Sequence, residues 1–193
     1  MGYGIQDFYK TAFTYGLGRD NLFRLKNITN DAFLPNSLQD LYVFAKSAMI
    51  PSRIVNQAKV SWKSFEFNVP LGISYPEATS WPVTFYSDQS HIIRSLFELW
   101  SKKTFSEHGH FSMTDFGNCD IEMVLLDSST KNNKNDLNDQ DREIAMYKLK
   151  GCYPTNTGTI QYDATSSGTI VSLNINLAFQ YIESTNNKYK LNQ

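Results

Sequence analysis

The sequence predicts a mainly β domain: an antiparallel β-sandwich or barrel with one flanking α-helix at about residues 88–102 and a short helix at the N-terminus. Three observations carry this. Apolar residues recur at every second position along much of the chain, the period of a strand with one face in a core. Two segments instead space them by three and four, the period of a helix. About seven strand-like runs around one central helix point to mostly antiparallel pairing.

Taken in order, Ile5, Phe8, Tyr9, Ala12 and Phe13 make a helical stripe that Gly16 and Gly18 stop. The stripe is aromatic and needs a surface to dock on, so residues 1–18 read as an arm. Leu22 to Ile28 alternates as a strand. Asp31 to Asn36 carries turn chemistry around Pro35, and Leu41 to Phe44 is a second apolar run. Val60 to Val69 alternates twice, with a phase slip between Trp62 and Phe65 that reads as a bulge or bend. Trp81 to Tyr86 follows as another strand.

The central helix is capped by Ser87 or Asp88, whose side chains accept from free backbone N–H groups. Ile92, Ile93, Leu96, Phe97 and Trp100 form its apolar stripe, while Arg94, Ser95, Glu98 and Ser101 face away. Lys102 and Lys103 suit the negative end of the helix dipole. Ile121 to Leu126 and Glu143 to Leu149 are strands joined by a polar loop, 127–142, that cannot bury enough apolar area to offset its ordering entropy. The last strand is read as Leu173, Ile175, Leu177, Phe179 and Tyr181, alternating with Asn174, Asn176, Ala178 and Gln180. The domain is thus placed at 19–183, with a polar tail at 184–193.

The 193 residues include 41% hydrophobic, 14% aromatic and only 19% charged side chains. A charge fraction below the usual quarter suits a domain that gives much of its surface to other subunits. Lys plus Arg number 18 and Asp plus Glu 19, a net charge of −1. A tight grip on nucleic acid needs a basic surface that releases counterions from phosphates, and no basic cluster exists here. No run approaches the roughly 20 apolar residues of a membrane span, so no membrane anchor is expected. The N-terminal residues lack a secretory apolar stretch, and Gln6 breaks the myristoylation pattern. Cys119 and Cys152 form no CxxC and read as reduced, partly buried thiols.

Reactive constellations are scarce. His108-Gly109-His110, with His91, Asp115, Cys119 and Asp120 nearby in the chain, is the best metal-ligand cluster. A catalytic metal needs three ligands in fixed geometry, and the glycine between the histidines argues for a hydrated turn. Gly16-Leu17-Gly18 has no preceding strand and lacks the third glycine of a dinucleotide fingerprint. No G-x-S-x-G elbow occurs, and Asp139 and Asp141 sit in the polar loop. No catalytic, metal or cofactor-binding residues are assigned; a metal-dependent hydrolase is the remote alternative.

Four ordered segments resemble the tail tube protein family of contractile-tailed bacteriophages. They are Arg19-Asp20-Asn21-Leu22-Phe23-Arg24-Leu25; Phe44 through Pro51 to Val55; Val69-Pro70-Leu71-Gly72 through Trp81 into the helix ending at Trp100; and Leu149-Lys150-Gly151-Cys152-Tyr153-Pro154-Thr155-Asn156-Thr157-Gly158, then the strand through Phe179-Gln180-Tyr181. The resemblance covers about residues 19–182 and extends in fold to the type VI secretion tube protein. It implies a structural virion protein without enzymatic activity or cofactor, forming hexameric rings that stack head to tail. Sheath protein would lie outside; tape-measure protein and DNA would pass inside. Baseplate and neck or terminator proteins would close the ends, and assembly would occur in the host cytoplasm. The stretches 103–118 and 127–142 exceed what a minimal member needs, which keeps a baseplate-end initiator or a tail terminator ring open beside the main tube subunit.

In the family, the segment matching Ala48 to Ser64 bridges subunits and stacked rings. Ile50, Ile54 and Trp62 are therefore expected as apolar inter-subunit contacts and Arg53 as a polar one, with packing inside the protomer as the alternative. The uncharged Asn174, Asn176 and Gln180 are expected to line the lumen, because such a row holds phosphate weakly.

Overall fold

A computed structural model describes residues 4–15, 19–29, 44–106, 109, 119–127, 143–160, 162, 165 and 168–186. In chain order these form α1 (Ile5–Tyr15), β1 (Phe23–Thr29), β2 (Ala45–Ala48), β3 (Ile54–Trp62), β4 (Phe65–Ser74), a 3-10 turn (Pro76–Thr79), β5 (Trp81–Tyr86), α2 (Ile92–Thr104), β6 (Asp120–Leu126), β7 (Glu143–Lys150), β8 (Tyr153–Asn156), β9 (Ser172–Ala178) and β10 (Tyr181–Asn186). One sheet has the order β1-β6-β7-β10, a second β2-β5-β9-β8, and β3 pairs with β4 alone. The strand pairs are all antiparallel.

The inward faces of the two four-stranded sheets meet in one core. Leu25, Ile121, Met123 and Leu149 come from the first sheet; Trp81, Val83, Phe85, Leu173, Ile175 and Leu177 come from the second. Burying each of these large side chains stabilises the fold by about 1.5–3 kcal/mol. Helix α2 closes the sandwich with Ile93, Phe97, Trp100 and Thr104 buried, and Phe97 stacks on Trp100 at 5.8 Å and tilts against Phe85 at 5.5 Å. The helix begins at Ile92, not near residue 88. Asp88 lies outside the helix and reaches back: its carboxylate accepts from the N–H groups of Ser90, Ile92 and Ile93 at 3.1, 3.0 and 3.2 Å. His91 lies between cap and helix with φ 54°.

Two expected strands are divided differently. The slip between Trp62 and Phe65 is no bulge but a hairpin turn: Trp62 pairs with Phe65, and Lys63 takes φ 55° in the two-residue loop. Lysine is not a residue that advertises a positive φ, so the turn is hidden in the sequence. The run Leu173 to Tyr181 is also two strands. Leu177, Ala178 and Phe179 are buried consecutively, because the chain turns a corner there from the second sheet to the first. The N–H of Phe179 donates to the Ala78 carbonyl and that of Gln180 to the Lys150 carbonyl, at 2.9 and 2.8 Å. β10 then pairs with β7 as far as Asn186, so Ser184–Asn186 of the expected tail lie in the ladder. Of the apolar run Leu41 to Phe44 only Phe44 is described, just ahead of β2 at Ala45. Residues 41–43, like 107–108, 110–118 and 128–142, lie outside the described residues.

The outward face of the first sheet is laced with ion pairs. Glu143 meets Lys26 at 2.9 Å and Arg24 at 3.4 Å; Lys148 meets Glu122 at 3.2 Å, and Lys150 meets Asp120 at 2.7 Å. Donating to the Asp120 carboxylate holds the Lys150 ammonium above its usual pKa.

Candidate assembly surfaces

The hairpin β3–β4 is built like an interface left uncovered. Its nine large apolar side chains, from Ile54 to Ile73, are each 43–71% exposed, and among the described residues neither strand pairs with another sheet. A solvated ribbon normally shows water a charged face; the two strands here carry only Lys59 and Glu66, paired at 3.6 Å and well exposed, which contributes little on its own. An apolar patch of this extent on a folded protomer marks a surface that another molecule covers.

The root of the ribbon is fixed to the sandwich. The indole N–H of fully buried Trp81 donates to the Met49 carbonyl at 2.8 Å. Pro51 is buried, and Ser52 donates through its N–H and hydroxyl to Glu77 at 3.0 and 2.9 Å. Glu77's own backbone N–H and these Ser52 bonds hold its carboxyl below the ordinary range. The expected contact residues sit on this device. Ile50 and Arg53 are exposed at the root, Ile54 opens β3, and Trp62 is 68% exposed at the tip.

The expected contact segment ends at Ser64, short of the second strand. Phe65, Phe67, Val69, Leu71 and Ile73 line β4, and their strict alternation with Glu66, Asn68, Pro70, Gly72 and Ser74 was the signal available for them.

The three expected lumen residues do not form one row. Asn174 and Asn176 lie on the outward face of the second sheet. There Ser47, Thr84 and Asn174 face one another across three strands, as do Pro82, Asn176 and Asn156. None of these six is charged, and the Thr84 hydroxyl donates to the Asn174 amide oxygen at 2.9 Å. Lys46 stands at the edge of this face, bonded to Ser172 at 3.2 Å and 5.3 Å from the Tyr86 ring centre. Gln180 is exposed at the corner between β9 and β10, against Gly151, and belongs to neither strand.

Among the described residues, those weighed for chemistry form no reactive cluster. His91 meets the Tyr162 hydroxyl at 3.1 Å and Ser87 at 3.4 Å. Cys119 is buried, and burial pushes its thiol up, away from nucleophile behaviour. Among the described residues no three His, Cys, Asp or Glu side chains gather to hold a metal; His108, His110 and Asp115 lie outside them. The arrangement suits adhesion between proteins.

Residues 9–184 match the phage tail tube protein family. The chain belongs to that family. No curated protein matches it in sequence. The tail tube fold recurs in solved structures at low identity. One from the anti-feeding prophage baseplate, sixfold symmetrised, has a TM-score of 0.55 and 11% identity, covering 86% of this chain and 94% of its own. One from the sheath–tube complex of an extracellular contractile injection system, PVC, in the extended state has 0.54 and 13%, covering 92% and 97%. One from the anti-feeding prophage tube-terminating cap has 0.54 and 11%, covering 88% and 91%. The family match spans β1 to β10 almost to its end and includes the whole hairpin; it leaves out the first turn of α1.

Proposed function

We propose that this tail tube family protein is the subunit of hexameric rings that stack head to tail into the tube of a contractile phage tail. The uncovered hairpin carries the reading. A two-stranded ribbon is marginal in water, so its apolar side chains gain from being covered by neighbouring copies. Contacts that translate as well as rotate from copy to copy build a tube instead of a closed dimer. Ile50, Ile54 and Trp62 supply apolar contacts between subunits and Arg53 a polar one. Sixfold symmetry is supported by the symmetrised baseplate that shares the fold.

The bore is lined by the outward face of the second sheet, with Asn174 and Asn176 on it and Gln180 at its corner. A wall that is nearly uncharged, with Lys46 at its edge, lets tape-measure protein and then DNA pass while holding phosphates weakly. Sheath protein surrounds the tube, as in the extended sheath–tube complex, and the assembled protein resides in the virion. Its role is structural, not catalytic. Among the described residues no helix is long and apolar enough to cross a membrane. A second reading, a ring that starts or ends the tube, is favoured by the equal likeness to the baseplate and cap structures.

Electron microscopy of the purified protein tests this. Rings or tubes are expected, and cryo-microscopy of them should put Asn174 on the inner wall. A protein that stays a solitary monomer at high concentration would end the proposal; rings that elongate only on another protein's ring would select the second reading.

A further inference from the structure

The hairpin joins the sandwich through two single-chain stems. Its ladder ends where Ile54 pairs with Ser74. Outside that pair, residues 49–53 lead in from β2 and residues 75–80 lead out to β5. Among the described residues neither strand pairs with another sheet, so the stems decide which way the ribbon points.

Each stem is tied to the sandwich. The lead-in has its Met49 carbonyl on the Trp81 indole at 2.8 Å and Pro51 buried. The lead-out sets the Tyr75 ring edge-on to Phe179 at 6.0 Å, and its Ala78 carbonyl accepts the Phe179 N–H at 2.9 Å. Its 3-10 turn is closed by two backbone bonds, Ala78 N–H to the Tyr75 carbonyl at 3.0 Å and Ser80 N–H to the Glu77 carbonyl at 3.1 Å. Pro76 fixes φ at the start of that turn.

Glu77 therefore stands on a pinned platform, and its side chain crosses to the other stem. Ser52 donates its N–H to Oε2 at 3.0 Å and its hydroxyl to Oε1 and Oε2 at 2.9 and 3.0 Å. Hydrogen bonds to an ionised acceptor are about twice as strong as neutral ones. Two different donors on two oxygens fix direction as well as distance.

We infer that the Ser52–Glu77 clasp sets the bearing of the hairpin on the free protomer, with Glu77 as the residue that positions the ribbon for assembly. The geometry stands by itself; its consequence rests on the proposed self-assembly. A ribbon swinging on two loose stems would have to be ordered each time a subunit joins, and that ordering weakens association. A clasped ribbon is ordered when the protomer folds. Its exposed apolar side chains then meet a neighbour from one fixed direction.

Double electron–electron resonance reads the bearing directly. Ser61→Cys at the tip and Glu183→Cys on β10, both exposed, carry nitroxides; the native thiols are fully buried and stay unlabelled. Below the concentration of assembly, the labelled protein is expected to give one narrow distance distribution. Glu77→Ala should broaden it with the thermal melt unchanged, while Ser52→Thr, which keeps both donors, should leave it narrow. In unlabelled protein Glu77→Ala should raise the concentration needed for assembly roughly three- to tenfold. A distribution already broad in the parent, or still narrow in Glu77→Ala, would overturn the clasp. Broadening with assembly unaltered would overturn its positioning role. If Glu77→Ala melts early, Ser52→Ala puts the same question from the other stem, removing the hydroxyl bonds and leaving the turn whole. Should the clasp behave as expected in a protein that forms neither rings nor tubes, the self-assembly reading falls and the clasp stands.

Discussion

Trp62 and Phe65 stand opposite each other at the tip of the hairpin, joined by only Lys63 and Ser64, and each is 68% exposed. A pair of large aromatics so placed contributes little to the protomer's own core and much to whatever covers it. Trp62→Ala is therefore expected to change unfolding free energy by no more than about 0.5 kcal/mol. As a central aromatic contact worth about 2 kcal/mol, its loss should raise the concentration needed for assembly roughly thirtyfold. Circular dichroism melts beside gel filtration read both effects. A variant that melts early yet still assembles would place Trp62 in the protomer's own packing.

How far this arrangement was legible depends on how local the signal is. Strands such as Trp81–Tyr86 and the helical stripe Ile93, Phe97 and Trp100 follow from periodicity, because burial on one face imposes it. The hairpin turn was hidden because Lys63 replaces the expected Asn or Gly at a positive φ. The corner at Phe179 was hidden because apolar alternation continues through it, although the sheet receiving each half differs. Both misreadings mattered for the candidate site: one concealed half of the apolar ribbon, the other put Gln180 in a row it does not share. Contacts between distant segments, not the local pattern, fix these two points.

Cys119 and Cys152 offer a test of the core. Both are fully buried, and the Cys152 N–H donates to the Cys119 carbonyl at 2.7 Å. Burial, with Asp120 adding to it, pushes the Cys152 thiol up to about 12; burial, then Cys152 and Asp120, also raises Cys119. Thiolate is therefore scarce near neutral pH. A thiol reagent at pH 8 should titrate neither cysteine in the native protein and 2 after unfolding. Rapid native labelling would show that the junction of β7 and β8 opens.

Asp88 predicts a pH dependence. Burial raises its pKa, but the N–H groups of Ile92, Ile93 and Ser90 outweigh that and leave it lowered. A folded-state pKa below the unfolded one contributes stability that is complete above about pH 4–5 and declines as pH falls through the folded value. Asp88→Ala should cost about 1 kcal/mol at pH 7. Urea melts of both proteins should show the gap narrowing by pH 3. A gap that holds constant would mean the carboxylate's charge is not what caps α2.

Gly158 separates backbone necessity from mere tolerance. Its φ is 71°, its N–H donates to the Asn156 side-chain oxygen at 2.7 Å, and a Cβ there would run into the Asn174 carbonyl. That obstacle is the backbone of β9, which cannot swing aside as a side chain would. Gly158→Ala thus adds left-handed strain of about 1–2 kcal/mol to a displacement of the strand that carries Asn174. Gly151, at φ 65°, would meet only the side chain of Gln180, its Cγ at 2.7 Å and Cβ at 3.4 Å, so its alanine variant should lose less. Gly72, in the hairpin, has nothing within 4 Å of such a Cβ; Gly72→Ala should leave the melt unchanged or slightly raised. Denaturant midpoints in the order Gly72→Ala above Gly151→Ala above Gly158→Ala are expected. If Gly158→Ala were the mildest of the three, β9 would be free to shift, and the uncharged face built on Asn174 and Asn176 would lack the fixed position that a smooth channel wall requires.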